Sequence, residues 1–232
     1  MAGEVLQEKT PMTESEWLEC TSPDTRLWAF YLPEHLAGHL PMSERKKRLF
    51  VVGCCRRIWA VLDQQGRHAV EVAERLADGH ASPEEWEAAQ RPVAERGWDK
   101  EGVNVLDYPS AAASMSGCGY DYFETPRLAA RACGNPVEMF TQVALVRCIM
   151  SNPFRPVSIN PTWLTPAVTN LAQSAYDERA MPSGELEPAR LAVLSDALEE
   201  AGCDNEDILN HLRSPGSHVR GCWALDLILG KS

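Results

Sequence analysis

Four residues toward one end of the sequence have the types and the spread of a metal site. They are Cys203, His211, His218 and Cys222, in a C-x7-H-x6-H-x3-C arrangement. Zinc takes four donors in a tetrahedron, and thiolate sulfur with imidazole nitrogen is one of its usual sets. His218 and Cys222 stand at i and i+4, so a helix there would place both on one face. Cys203 follows a helix stop, His211 falls on the next short helix, and a turn at Pro215-Gly216 would fold the two pairs together. The spacings match no standard zinc pattern and neither pair has a C-x2-C bite. The competing expectation is that Cys203 and Cys222 are core thiols and His211 a solvated tip. Zinc is the one cofactor these residues suggest.

A second cluster is cationic. Arg45, Lys46, Lys47, Arg48, Arg56 and Arg57 form a stripe, with Arg45, Lys46, Arg56 and Arg57 as its basic patch, open to a phosphate-bearing ligand or an acidic partner. The plainer expectation is that they solvate a helix or pair internally with Glu84–Glu87 or Asp196–Asp207. In Tyr176-Asp177-Glu178-Arg179 the adjacent carboxylates would point about 100° apart on a helix, so they do not serve one acid–base site. No nucleophile elbow, phosphate loop, dinucleotide fingerprint or metalloprotease helix is present. Cys118, between Gly117 and Gly119, reads as an exposed thiol. The strip from Pro153 to Trp163 is rich in proline and aromatic residues, which forces an extended path with Phe154, Arg155 and Trp163 available to a partner. These features lead to a non-enzymatic protein–protein interaction or adaptor module whose partner is another protein. The alternative is a zinc-binding protein using the Cys/His cluster.

Composition narrows the classes. The chain has 232 residues, 44% hydrophobic and 24% charged, which is ordinary globular usage. Its formal charge is 22 − 33 = −11. A field of that sign repels phosphate backbones, so non-specific nucleic-acid binding is disfavoured. No apolar run reaches the roughly 18–20 residues of a bilayer crossing. Met1 to Lys9 lacks the basic start and apolar stretch of a secretory signal, which implies a cytoplasmic protein with reduced thiols.

The elements that must position these residues are helical. Thr13-Glu14-Ser15-Glu16 reads as a capping box, and Asp24 opens a short helix through Tyr31. Ser43 starts a helix to about Gln65 whose apolar residues, Phe50 to Leu62, cover an arc of roughly 200°, wide enough for a central buried helix. Gly66 would break it, and a helix would continue from Arg67 to Asp78, ended by Gly79. Ser82-Pro83 starts another. Residues 97–125 read as a loop-rich or inserted segment. Later helices follow from Pro126, Asn135, Thr165, Glu187 and Asp204, and a last one from His218 to Leu229. Period-two β-branched runs are almost absent, so the expectation is a single all-α domain over 1–232 with nine or ten helices.

Tyr176-Asp177-Glu178-Arg179, Asp196 to Cys203 (DALEEAGC) and His218 to Trp223 (HVRGCW) resemble a recurrent signature of an uncharacterised family of all-helical bacterial proteins. The helix from Arg48 to Trp59 and Asn152-Pro153-Phe154-Arg155-Pro156 are similar to further pieces of it. The resemblance spans about two thirds of the chain and implies an all-α bacterial module. It carries no activity and no functional residues.

Overall fold

Helices start where the sequence supplies an acceptor for the unpaired amides of a first turn. The computed structural model describes residues 13–19, 43–99, 102–103, 113, 124–133 and 138–231. Thr13 and Glu16 close the expected reciprocal box: the Thr13 N–H donates to Glu16 Oε2 at 2.8 Å, and the Glu16 N–H to Thr13 Oγ1 at 3.3 Å. This opens α1 (Glu14–Glu19), whose Trp17 is buried. Ser43 caps α2 (Glu44–Arg57) and Asp63 caps α3 (Gln64–Ala77). The Ser82 hydroxyl accepts from Glu85 at the start of α4 (Pro83–Gly97), which holds Pro92 in its interior.

The chain continues through β1 (Trp98–Asp99), β2 (Gly102–Val103), α5 (Glu124–Cys133), α6 (Glu138–Met150) and a 3₁₀ turn at Pro161–Trp163. Then come α7 (Pro166–Asp177), β3 (Arg179–Ala180), β4 (Glu185–Leu186), α8 (Pro188–Glu200), α9 (Glu206–Arg213) and α10 (Trp223–Leu229). The fold is all-α, with ten α-helices among the described residues. The strands form two antiparallel two-residue ladders, Trp98 opposite Val103 and Arg179 opposite Leu186. No helix among the described residues is long and apolar enough to cross a membrane.

α2 is central, as its wide apolar arc implies. Leu49 through Cys55 are all buried, and α3, α5 and α6 pack around the helix. Its end differs from expectation. α2 stops at Arg57, and the chain turns through Ile58 to Leu62 before α3 begins at Gln64. The cause is Asp63: its carboxylate accepts from the Gly66 N–H at 2.8 Å, so Gly66 lies buried inside α3 instead of ending the previous helix. Gly79 (φ 73°) ends α3 in the left-handed conformation, as expected. The short helix placed at Asp24–Tyr31 and Cys118 both lie outside the described residues. So does most of the 97–125 segment, of which the β1–β2 ladder, the buried Ala113 and the start of α5 are described.

The C-terminal helices form a second group. α8 packs on α7 and α9, while α10 touches α6, α7 and α9 and so joins the group to the central helices. The last helix begins at Trp223, not at His218. His218 and Val219 instead pair with β4: the Leu186 N–H donates to the His218 carbonyl at 2.8 Å, and Val219 bridges Glu185. Gly221 (φ 89°) then turns the chain, its Cα so close to Leu49 that an added Cβ would lie 2.8 Å from Leu49 Cδ1.

Candidate metal centre

Three elements and one loop converge on the strongest constellation of donor atoms. Cys148 lies near the end of α6, on its buried face. His211 stands in the last turn of α9. His218 is in the loop held against β4, and Cys222 is the N-cap residue of α10. One ligand atom from each lies within 4.8 Å of all the others. Cys148 Sγ is 3.7 Å from His218 Nδ1, and His211 Nε2 is 3.3 Å from Cys222 Sγ. With zinc–sulfur bonds near 2.3 Å and zinc–nitrogen bonds near 2.0–2.1 Å, the edges of a tetrahedron are about 3.3–3.8 Å. The two measured edges fall in that range.

The second ring nitrogen of His218 is also accounted for. His218 Nε2 lies 3.2 Å from the Ser214 carbonyl and 3.1 Å from its hydroxyl. The Ser214 hydroxyl donates to the His211 carbonyl at 2.8 Å, leaving its oxygen free to accept. Both contacts therefore favour a proton on Nε2 and a lone pair on Nδ1, aimed at the sulfurs. His211 is braced edge-on by His218 (centroids 4.8 Å apart) and by a tilted Trp223 ring (4.9 Å). Cys222 makes no side-chain hydrogen bond to the helix it caps, because its sulfur faces the cluster.

Electrostatics suit a cation. Burial works against a Cys222 thiolate, but hydrogen bonding from Cys148 and the two imidazoles outweighs it and holds Cys222 well below the usual thiol range. Cys148, the donor in that pair and itself buried, is pushed up. Burial lowers the His218 imidazole, yet its contact with the Cys222 sulfur wins and raises it. The cluster thus holds one proton-poor sulfur among donors in a dry site, where a divalent ion with two thiolates would leave no net charge.

The structure brings together His211, His218 and Cys222 but not Cys203. The Cys203 N–H donates to the Leu198 carbonyl at 2.9 Å and the Gly202 N–H to Glu199 at 2.9 Å, with Gly202 at φ 89°. This is the left-handed helix stop in which the residue after the glycine closes over the last turn, so Cys203 serves as a buried apolar plug of α8. Cys148 takes the fourth place. It stands 70 positions before His218 within an apolar helix, and no spacing rule marks it. Nor do His218 and Cys222 share a helical face; the loop through Gly221 brings them together.

The basic residues turn inward. Arg45 bonds Asp78 at 2.9 Å, Asp226 at 2.8 Å and the Tyr176 hydroxyl at 2.7 Å. Lys46 bonds Asp226 at 2.5 Å and the Ile149 and Gly221 carbonyls. Arg56 and Arg179 flank Glu74, each at 2.6 Å, and Arg57 bonds Glu138 at 2.7 Å. Internal pairing is therefore the outcome, though with other partners than expected. Glu85 pairs with Arg75, and Asp196 and Glu199 with Arg213. In the proline-rich strip, Phe154 and Trp163 are half-buried against the core, and the exposed Arg155 pairs with Glu14 at 2.5 Å. Of Tyr176 to Arg179, Tyr176 and Arg179 serve these networks, while Asp177 accepts from Gln173 and Glu178 pairs with Arg190.

No family model, curated protein or solved structure matches this chain.

Proposed function

We propose that this is a zinc-binding protein in which Cys148, His211, His218 and Cys222 hold one ion in a closed, structural site. The observation that carries the reading is the approach of four donor atoms of zinc-preferred type to within 4.8 Å of one another, Cys148 arriving from a part of the chain distant from the other three. Two sulfurs and two nitrogens complete a tetrahedron, leaving no position for a water or substrate, which is the pattern of structural rather than catalytic zinc. The hydrogen bonds from His218 to Ser214 supply the outer shell such sites need. Coordination would tie α9 and the 218–222 loop to α6, joining the C-terminal helices to the central ones. This reading is preferred to an adaptor role because the proline-rich strip packs Phe154 and Trp163, half-buried, against the core of its own chain.

Elemental analysis of the purified protein tests it. One equivalent of zinc is expected, lost in Cys148→Ser, His211→Ala and Cys222→Ser and retained in Cys203→Ser. A folded wild-type chain that takes up no zinc from a metal-buffered solution would end the reading.

A further inference from the structure

The same geometry points to a second chemistry. We propose that Cys148 and Cys222 are also a redox pair, which a hydroperoxide closes into a disulfide, and that this closure ejects the ion. The ejection rests on the metal reading above; the disulfide does not.

The two sulfurs belong to one compact group of donors, and they come from segments that meet only in the folded chain. Other described cysteines are placed differently. Cys54 and Cys55 are consecutive on α2 and so point in different directions around the helix. Cys203 plugs the end of α8, and Cys133 is exposed on α5. Two sulfurs on a tetrahedral zinc are about 3.7 Å apart, whereas a disulfide holds them at about 2.05 Å. A single pair of sulfurs cannot satisfy both, so the bond and the ion exclude each other. Cys222 can turn toward Cys148 without losing a helix cap, since its side chain caps nothing. A cleft of about 290 Å³ is lined by Ile149 and Trp223, the chain neighbours of the two cysteines.

The step balances with one peroxide. One sulfur attacks a peroxide oxygen; an S–O bond forms, the O–O bond breaks, and the departing hydroxide leaves as water after taking a proton. The second sulfur attacks the resulting sulfenic sulfur; the S–S bond forms, the S–O bond breaks, and a second water leaves. Two thiols lose two electrons and the peroxide gains them. From the ion-bound thiolates, solvent supplies the two protons and the divalent cation departs.

The test treats the reduced full chain with hydrogen peroxide, in zinc-loaded and chelator-stripped forms, with Cys133→Ser, Cys148→Ser and Cys222→Ser alongside. The expected result is a mass loss of about 2 Da, a cross-linked peptide pair containing Cys148 and Cys222, and reversal by dithiothreitol. Zinc should appear in solution in step with the cross-link, Cys133→Ser should behave as wild type, and the other two variants should give no cross-link. Oxygen addition at Cys148 or Cys222 without a cross-link overturns the pair, as does peroxide that oxidises Cys133 while leaving both unchanged. A cross-linked chain that still holds its zinc overturns the ejection. If the reduced chain takes up no zinc, the metal reading fails alone, and the cross-link still decides the redox pair.

Discussion

At the scale of single residues, the centre depends on Ser214 as well as on its four donors. The Ser214 carbonyl and hydroxyl together hold the His218 ring, so removing the hydroxyl leaves one of two restraints in place. Ser214→Ala is expected to weaken zinc about tenfold, at the low end of what outer-shell losses cost. Competition with a chelator of known affinity measures it; a loss as complete as that of His218→Ala would mean the hydroxyl does more than orient. Cys203→Ser separates site from plug in the other direction. It puts a hydroxyl where a buried thiol closes α8, which costs about 1–3 kcal/mol in chemical denaturation while zinc stoichiometry stays unchanged. Three of the four donors were legible because His211, His218 and Cys222 cluster along the chain. Cys148 was not, since a buried thiol on an apolar helix looks the same whether it fills space or faces a donor across the core.

At the scale of elements, caps carried most of what could be read. Thr13, Ser43, Ser82 and Thr165 mark helix starts because each offers a short side-chain oxygen to an amide that has no helical partner. The misreadings arose where two signals competed. Asp63 caps a new helix two residues before the expected end of the previous one, directly after apolar residues that run on to Leu62, and the 218–222 spacing fits a helix as well as a loop. What decides the second case is Gly221, held at φ 89° against Leu49. A side chain there suffers both a left-handed backbone and a 2.8 Å contact with Leu49 Cδ1, and either Leu49 or the segment that carries Gly221 would have to shift. Gly221→Ala is therefore expected to cost about 2–4 kcal/mol, since it combines backbone strain with overpacking. Because the segment that carries Gly221 also carries His218 and Cys222, zinc affinity should fall with it. Thermal unfolding with and without zinc checks this: the zinc-dependent rise in Tm should shrink in the variant, and a rise equal to wild type would show that the loop positions the donors without the glycine.

At the scale of the whole molecule, buried ion pairs reinforce the join that one continuous hydrophobic core already makes between the two groups of helices. Asp226 of α10 receives Arg45 and Lys46 of α2, and Glu74 of α3 stands between Arg56 of α2 and Arg179 of β3. The Arg56–Glu74–Arg179 triad is almost dry, with Glu74 4% exposed. Burial pushes its carboxyl up, but the two guanidiniums prevail and hold it below the ordinary 4.5. A carboxylate depressed in the folded state contributes stability that is present above the unfolded value and lost as pH falls through the folded one. Glu74→Gln removes that charge at every pH and leaves two buried arginines without a counter-ion, which costs about 3–5 kcal/mol at neutral pH. Below about pH 4.5 the wild type progressively protonates the same group and comes to resemble the variant. The gap in unfolding free energy between the two proteins should thus be widest near neutrality and close as the solution is acidified. Asp78, also depressed, titrates alike in both chains and cancels in the difference. Urea denaturation of the pair at several pH values reads the gap directly. A gap that stays constant into strong acid would show that Glu74 contributes its packing and hydrogen bonds rather than its charge.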